Sequence, residues 1–160
     1  MQLFHFTDSR NLTSIRKYGL LSWKRLVARQ IQHWPASSED SRRFDARLVL
    51  EDYIRLCVRR EHPMAWRALY ERRINDFVWL EISAVVTRWS ATRYSSENAV
   101  AKRAVINGDP RTALESQSIQ AEILILGDLN RKWITFPSDA AIPSTVASGA
   151  SSAPGFDLPF

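Results

Sequence analysis

A single carboxylate, Glu122, stands directly before the apolar run Ile123–Leu126. A short apolar run bounded by polar residues predicts a buried strand, so Glu122 is expected where such a strand begins. A carboxylate placed there can stabilise developing positive charge or accept a proton. The alternative is a surface glutamate at the edge of a sheet, because most glutamates are exposed.

Two polar side chains, His5 and Thr7, alternate with aromatic residues near the N-terminus. Alternate residues of a strand lie on one face, so these two are expected side by side. Both can hydrogen-bond an amide or a hydroxyl group. Asn11 follows, where a helix is predicted to begin. The ordinary alternatives are a half-buried histidine with satisfied hydrogen bonds and an asparagine that caps a helix.

An arginine pair, Arg42-Arg43, follows the polar stretch 35–40. A guanidinium group can clamp a diphosphate or stack on a base, because its donors form a planar fork. Asp45 is near enough in sequence to orient one of the two arginines. The alternative is a solvated surface, which is the common environment of an arginine pair.

The composition is that of one globular domain, with 160 residues, 45% hydrophobic and 24% charged. The net charge is +5 and the sequence pI is about 9.8. Such a balance favours an anionic partner, of which nucleic acid is the usual one. The arginines are dispersed along the chain, so a generic basic surface is the alternative.

Cys57 is the single cysteine of the sequence, which excludes an intrachain disulfide and a multi-cysteine zinc site. The histidines His5, His33 and His62 lack metal-ligand spacing, so we expect no metal. The N-terminus lacks the features of a secretory signal. No apolar run approaches the ~18 residues that span a bilayer. These features predict a cytoplasmic protein with no membrane partner.

Strands and helices are interspersed in the sequence without a regular βαβ rhythm, which favours an α+β (mixed α/β) domain over residues 1–137. The clearest strands are 3–6, 53–56, 77–82, 120–126 and 133–136. Helices are predicted at 9–17 and 63–70, with shorter ones within 20–31 and 95–105. Residues 138–160 are rich in Ala, Ser and Pro and predict a flexible tail, with Phe156 and Phe160 as docking points.

Several short blocks occur in a fixed order over residues 2–137 and together resemble the DarT family, bacterial toxins that transfer ADP-ribose from NAD to DNA bases. The blocks are Leu3–Asp8, Asn11-Leu12, Gly19–Leu21, Ser41–Asp45, Asp52–Ile54 and Pro63-Met64, followed by Glu122. The resemblance implies an ADP-ribosyltransferase-like fold with a split central β-sheet flanked by short helices. It also implies NAD as the ADP-ribose donor and no metal cofactor.

The resemblance assigns the chemistry to two residues. Glu122 would be the catalytic carboxylate, and it would also help the acceptor nitrogen of the target base to lose its proton. Arg43, the closer family match of the arginine pair, would be the functional arginine that serves both catalysis and NAD binding.

Further residues would bind NAD if the resemblance holds. His5 and Thr7 would line the nicotinamide end of the pocket, and Asn11 would lie near NAD. Tyr53 and Met64 match pocket-wall positions, with plain core packing as the alternative. Asn98-Ala99 matches a late element of some relatives.

The span 88–120 would hold the loop that contacts the nucleic acid. Its candidates for stacking and phosphate contacts are Trp89, Arg93, Tyr94 and Arg111. The span is shorter than in many relatives, which leaves the target base open. The expected partners are single-stranded DNA, with thymine as the base and RNA as the alternative polymer, and a macrodomain antitoxin or another immunity protein.

Two other classes of function fit the same residues. One is a non-enzymatic basic module that binds nucleic acid or protein. The other is a small ribonuclease toxin in which His5, Arg43 and Glu122 act as acid–base groups. NAD-dependent labelling of an oligonucleotide separates the transferase from both.

Overall fold

The structure is a computed structural model, and it describes residues 1–138. This part of the chain forms nine strands and five α-helices. The strands are β1 (Leu3–Thr7), β2 (Leu20–Leu21), β3 (Tyr53–Cys57), β4 (Val78–Ile82), β5 (Arg93–Ser95), β6 (Ile106–Asn107), β7 (Glu122–Leu126), β8 (Asp128–Leu129) and β9 (Ile134–Thr135). The helices are α1 (Leu12–Tyr18), α2 (Trp23–Ala28), α3 (Glu39–Arg47), α4 (Pro63–Tyr70) and α5 (Arg111–Leu114).

Seven strands form one antiparallel sheet in the order β6-β5-β7-β3-β1-β4-β9, and β2 and β8 form a separate pair. Five residue pairs join β1 to β4, and five join β3 to β7. In contrast, Phe4 and Cys57 form the single pair between β1 and β3. The sheet is therefore split between β1 and β3, as predicted for an ADP-ribosyltransferase-like fold.

Alternation along the strands gives the sheet two distinct faces. Leu3, Leu80 and Ile123 are fully buried in a core that includes Leu12 and Ile15 of α1. Glu122 lies on the opposite face, because it neighbours Ile123 along the strand. Its cross-strand partners are Cys57 on β3 and Ser95 on β5. Cross-strand partners share a face, so these side chains lie together.

Several predicted elements are confirmed with close bounds. The helix at 63–70 is α4, which begins at a proline that fits the first helical turn. The strand predicted at 77–82 is β4, and the strands at 3–6 and 53–56 are β1 and β3. The strand predicted at 120–126 begins two residues later, at Glu122.

Two segments differ from the sequence-based prediction. Residues 39–47, which include the end of the predicted polar loop and the arginine pair, form α3. The side chain of Ser38 caps this helix by accepting a hydrogen bond from the N–H of Ser41. The short helix predicted within 95–105 is absent, and the described chain passes from β5 into turns there.

Gly19 ends α1 and allows the chain to turn into β2. Its φ is +79°, a backbone conformation that residues other than glycine rarely adopt. A Cβ atom at this position would lie 2.2 Å from the carbonyl oxygen of Leu129. The glycine therefore lets α1 end directly against the β2–β8 pair, which borders the cavity described below.

The predicted tail, with Phe156 and Phe160, lies outside the described residues, except for Ser138. Within residues 1–138, none of the helices has the length and apolar character needed to cross a membrane.

Candidate active site in the split of the sheet

A cavity of about 230 Å³ lies where the two halves of the sheet separate. Residues from both halves line it, together with α1, α2 and the segment that joins α2 to α3. The main lining residues are His5, Phe6, Thr7, Asn11, Leu21, Trp23, His33, Trp34, Ser37, Asp45, Tyr53, Arg55, Cys57, His62, Met64, Asn98 and Glu122. Most of the polar groups that sequence and resemblance singled out as pocket residues meet here.

Glu122 is the first residue of β7, an inner strand, and its side chain is only 4% exposed. The backbone N–H of Ala99 donates a hydrogen bond of 2.8 Å to Oε2 of its carboxylate. Nη1 of Arg55 lies 3.4 Å from the same oxygen. Glu122 is thus a buried, oriented carboxylate rather than a surface glutamate.

Burial raises the pKa of Glu122, while Arg55 and the Ala99 N–H act in the opposite direction. Burial likewise raises the pKa of Asp45, against the influence of Arg55. Arg55 contacts both carboxylates through different nitrogens, and its Nη1 also donates to Oδ1 of Asn98 at 3.3 Å. One guanidinium therefore holds a buried carboxylate, Glu122, and a partly buried one, Asp45, in a largely apolar cavity.

His5, Thr7 and Asn11 all line the cavity, as the sequence predicts. Nδ1 of His5 donates to the carbonyl of Arg55 at 3.0 Å and so bridges the split of the sheet. Burial lowers the pKa of His5. Oγ1 of Thr7 accepts a hydrogen bond of 3.1 Å from Nδ2 of Asn11.

Asn11 also fastens a loop over the cavity. Its Nδ2 donates to the carbonyl of Trp34 at 2.9 Å, and its Oδ1 accepts from the N–H of Trp34 at 2.9 Å. These paired hydrogen bonds fix the segment 31–37, which contributes Trp34 and Ser37 to the lining. Asn11 is therefore more than a helix cap, and no side-chain capping bond is present at the start of α1.

The arginine pair divides between the cavity and the solvent. The guanidinium of Arg42 lies 4.6 Å from the ring centroid of Trp23 and donates to the carbonyl of Ser37 at 2.5 Å. Both of those partners line the cavity. Arg43 is 69% exposed and forms an ion pair of 2.7 Å with Glu39 on the outer surface of α3. The structure thus brings Arg42, rather than the predicted Arg43, to the cavity rim, because α3 turns successive side chains about 100° apart.

The ribonuclease alternative required His5, Arg43 and Glu122 to meet. His5 and Glu122 line the same cavity, but Arg43 does not. Of the three acid–base groups that this alternative needs, Arg43 therefore lies outside the cavity that holds the other two.

Tyr53 and Met64 line the cavity, in agreement with their predicted positions. Tyr53 begins β3 on the face that carries Arg55, and Met64 lies in the first turn of α4. Asn98 also lines the cavity, and the N–H of Ala99 is the group that orients Glu122.

The predicted nucleic-acid residues are not one cluster, and Tyr94 requires a correction. Its side chain is 2% exposed, and its hydroxyl donates to the carbonyl of Thr87 at 2.7 Å. Tyr94 belongs to the hydrophobic core, because it occupies the core face of β5 next to Ile123. It is not available to stack on a base.

The other three predicted contacts stay nearer the surface. Trp89 is half-buried and packs against the core. Arg93 donates to the carbonyls of Ser90 and Thr92, at 3.1 and 2.9 Å. Arg111 is exposed and paired with Asp109 at 2.9 Å. Arg93 lies on the same sheet face as Glu122, because its neighbour two residues on, Ser95, pairs with Glu122.

Two residues of the site escaped sequence reasoning, Arg55 and His62. Arg55 stands between Ile54 and Leu56, and a charged residue inside an apolar strand is the signal that could have revealed it. His62 precedes Pro63, and its Nδ1 caps α4 by accepting from the N–H of Met64 at 3.3 Å. Burial lowers the pKa of His62 to about 4; the backbone of Gln120 acts in the opposite direction and Arg55 in the same one, so the ring is neutral near pH 7.

Within residues 1–138, no group of three or more His, Cys, Asp and Glu side chains is arranged to hold a metal ion.

The fold is similar to that of solved DarT structures. DarT of Thermus sp. 2.9 in complex with ADP-ribosylated ssDNA is 16% identical, with a TM-score of 0.68, covering 87% of this chain and 82% of that one. The same protein with NAD⁺ is 18% identical, with a TM-score of 0.55, covering 83% and 78%. At such low identities, these TM-scores show a shared fold and no more.

Thermosipho africanus DarTG in complex with ADP-ribose is 14% identical, with a TM-score of 0.66, over 84% of this chain. The chain spans 42% of the length of that protein. No curated protein matches the sequence. The sequence does match a family described as "ssDNA thymidine ADP-ribosyltransferase, DarT" over residues 4–133. The chain belongs to the DarT family, and it is accordingly an NAD-dependent ADP-ribosyltransferase of single-stranded DNA.

Proposed function

We propose that Glu122 carries out the chemistry of this reaction, the transfer of ADP-ribose from NAD to a thymidine base in single-stranded DNA. The observation that carries the proposal is the environment of Glu122. It is a buried carboxylate in the split of the sheet, oriented by Arg55 and by the N–H of Ala99. The preorganised charge of such a group stabilises positive charge that develops next to it.

In the first part of the reaction, the bond between C1 of the ribose and the nicotinamide nitrogen breaks. The nicotinamide leaves as a neutral molecule with the bonding electron pair, and positive charge develops on the ribose. Oε1 of Glu122 accepts none of the hydrogen bonds described for the carboxylate, both of which end on Oε2. Oε1 is therefore the oxygen that remains available to the ribose.

In the second part, the base attacks C1 of the ribose. Thymine in DNA has one N–H group, at N3, so this nitrogen must lose its proton as the new bond forms. Glu122 accepts that proton and passes it to solvent. Burial raises the pKa of Glu122, which makes the carboxylate a stronger base than an exposed glutamate.

The cavity fits one end of NAD. Its volume of about 230 Å³ is below the roughly 300–1,000 Å³ of pockets that enclose a whole drug-sized ligand. We place nicotinamide between His5, Thr7, Tyr53 and Met64, which line the cavity from both sides of the split. Neutral His5 and Thr7 supply hydrogen-bonding groups for the amide or the ribose.

The remainder of NAD extends toward the loop that Asn11 fastens. Trp23 and Trp34 provide aromatic walls there, and Arg42 stacks on Trp23. We assign to Arg42 the diphosphate or base contact that the sequence suggested for Arg43. A guanidinium held by a ring and a carbonyl is already oriented for a bidentate contact.

The single strand of DNA approaches Glu122 from the face of the sheet that carries Arg93. Trp89 and Arg111, on either side of β5 in the sequence, are further candidates for contacts with the strand. A macrodomain partner that removes the modification, as the family resemblance implies, would serve as the antitoxin. The buried free thiol of Cys57 suits a reducing cytoplasm, where this partner and the DNA are found.

The proposal is tested by incubating the protein with NAD and a panel of oligonucleotides, followed by mass spectrometry. The panel contains single-stranded DNA with one thymidine, the same strand without thymidine, and the matching RNA with uridine. We expect the mass of one ADP-ribosyl group on the thymidine strand, and none with the Glu122→Gln variant. Labelling of RNA alone, or equal labelling by Glu122→Gln, would contradict the proposal.

A further inference from the structure

His62 presents an unused hydrogen-bond donor to the catalytic cavity. The side chain is 1% exposed and lines the cavity. Its Nδ1 accepts from the N–H of Met64, so the proton of the neutral ring is on Nε2. Nε2 makes no well-formed hydrogen bond to the described residues, although the backbone of Gln120 lies near enough to raise the pKa of the ring. The nearest carboxylate oxygen is Oε1 of Glu122, at 3.8 Å.

The ring is held in place from several directions. His62 is the N-cap residue of α4, and Pro63 fixes the chain immediately after it. The ring of Phe6 lies on another side, with the two ring centroids 6.2 Å apart. A buried N–H without an acceptor is costly, and native structures rarely retain one without a reason.

Glu122 has a matching free position. Arg55 and the N–H of Ala99 both contact Oε2, whereas Oε1 faces His62 across the cavity. A shift of about 1 Å would bring Oε1 within the range of an N–H···O hydrogen bond from Nε2.

We propose that His62 is a positioning residue for Glu122: when substrate fills the cavity, the Nε2–H of His62 donates to Oε1 and fixes the carboxylate against the ribose. The inference rests on the proposed catalytic role of Glu122. It adds a contact to Oε1 of the carboxylate, whereas Arg55 and Ala99 contact Oε2. His62 remains neutral throughout and transfers no proton.

Three other ionisable side chains face Glu122 and influence its pKa or are influenced by its charge. Arg55 and Cys57 face it from β3, and Asp45 faces it from α3. Among these groups Arg55 favours the ionised carboxylate, as the N–H of Ala99 also does, and Asp45 disfavours it when charged. An added N–H donor from His62 favours the ionised form as well, so its loss raises the pKa of Glu122.

Two substitutions separate the donor from the helix cap. The amide of Asn stands near the position of Nδ1, so His62→Asn keeps a cap for Met64 but cannot reach Glu122. The longer side chain of Gln brings its amide N–H near the position of Nε2, so His62→Gln keeps the donor and weakens the cap. His62→Asn therefore loses the donor at Nε2 and keeps the helix cap, and His62→Gln keeps the donor and loses much of the cap.

We expect His62→Asn to melt near the wild-type temperature and to keep its KM for NAD. Its kcat should fall by about 10- to 100-fold, the range for a hydrogen bond to a charged group. The acid limb of its pH profile should move to higher pH. His62→Gln should melt lower and keep kcat within a few-fold of wild type. If Asn retains the wild-type kcat and pH profile, or if Gln is as slow as Asn, the inference is overturned.

A measurement without turnover separates this inference from the proposed function. The NMR signal of the Nε2 proton of His62 is followed while carba-NAD⁺ is added to the wild-type protein and to Glu122→Ala. A downfield shift in the wild type that is absent in Glu122→Ala supports the hydrogen bond. An unchanged signal in the wild type at saturating ligand overturns it, whichever base the enzyme modifies.

Discussion

The guanidinium of Arg55 lies 3.4 Å from the carboxylate of Glu122, although the two residues are offset along neighbouring strands. Glu122 is directly opposite Cys57, two positions further along β3. The arginine therefore reaches diagonally to Oε2 and leaves Oε1 open. This relationship keeps a buried carboxylate ionisable while one of its oxygens remains available to substrate.

Replacing Glu122 with Gln should abolish base modification without loss of NAD binding. The variant is nearly isosteric, but it loses the negative charge and the ability to accept a proton. Loss of preorganised charge stabilisation typically costs about 10²–10³ in rate, and loss of a general base adds a comparable factor. Mass spectrometry of an oligonucleotide measures transfer, and calorimetry measures NAD affinity. Transfer near the wild-type rate would remove Glu122 from the mechanism.

The same substitution should stabilise the fold in a pH-dependent way. Burial raises the pKa of folded Glu122 above its unfolded value of about 4.3. The protonated form contributes stability below that value, and the contribution is lost as pH rises through the folded pKa. The Tm of Glu122→Gln should therefore exceed that of the wild type increasingly as the pH rises above about 4.3, by roughly 2–4 °C for each kcal/mol, and the difference should level off above the folded pKa. A difference that shrinks with rising pH would contradict the burial argument.

Arg42 and Arg43 offer a matched pair of substitutions. Arg42→Lys keeps the charge but loses the planar fork over Trp23, so we expect transfer to fall about 10-fold or more. Arg43→Lys should change transfer little, because Arg43 pairs with Glu39 in solvent. Initial rates at several NAD concentrations decide between them. The reverse ranking would restore the assignment of the functional arginine to Arg43.

Asn11→Ala should weaken NAD binding by releasing the loop 31–37. The substitution removes both hydrogen bonds to Trp34 and the one to Thr7. A net loss of about 1 kcal/mol per bond corresponds to at least a 10-fold rise in the dissociation constant. Asn11→Asp, which keeps the acceptor for the Trp34 N–H, should be less affected. Unchanged NAD affinity in Asn11→Ala would show that the loop does not hold the cofactor.

Binding to single-stranded DNA should weaken with salt, since arginines displace counterions from phosphates. Arg93→Ala should reduce the slope of log affinity against log salt by about 1. Arg131→Ala is the control, because it makes the same change in charge next to β9, at the opposite edge of the sheet from β5 and β6. Fluorescence anisotropy at several salt concentrations gives both slopes. Equal slopes for the two variants would exclude a specific contact by Arg93.

Local signals in the sequence predicted those parts of the fold that local forces determine. Pro63 marked the start of α4 and the apolar run after Glu122 marked β7, since each depends on neighbouring residues alone. Helix α3 was missed because its sequence is mostly polar and its amphipathic pattern is short. Without that helix, the sequence could not show that the side chain of Arg42 points toward the cavity and that of Arg43 toward solvent.

Contacts between distant segments were beyond the reach of pattern analysis. The sequence suggests Tyr94 as a stacking residue of the loop that contacts nucleic acid, but the alternation of β5 turns it into the core. The approach of Arg55 and His62 to Glu122 joins residues 67 and 60 positions away in the sequence. The sequence contained each residue, but only the pairing of β3 with β7 and the docking of α4 define the cluster.

The narrow connection between β1 and β3 bears on the cooperativity of unfolding. Among the described residues, Phe4 and Cys57 are the one strand-ladder pair between the two half-sheets, and the His5–Arg55 hydrogen bond adds a side-chain link, whereas each half keeps its own ladder of hydrogen bonds. Breathing motions that part the halves therefore break few backbone bonds. In the proposed binding mode, NAD would contact both half-sheets across this seam. Bound NAD would then raise the free energy needed to separate the halves, and release of the products would lower it again.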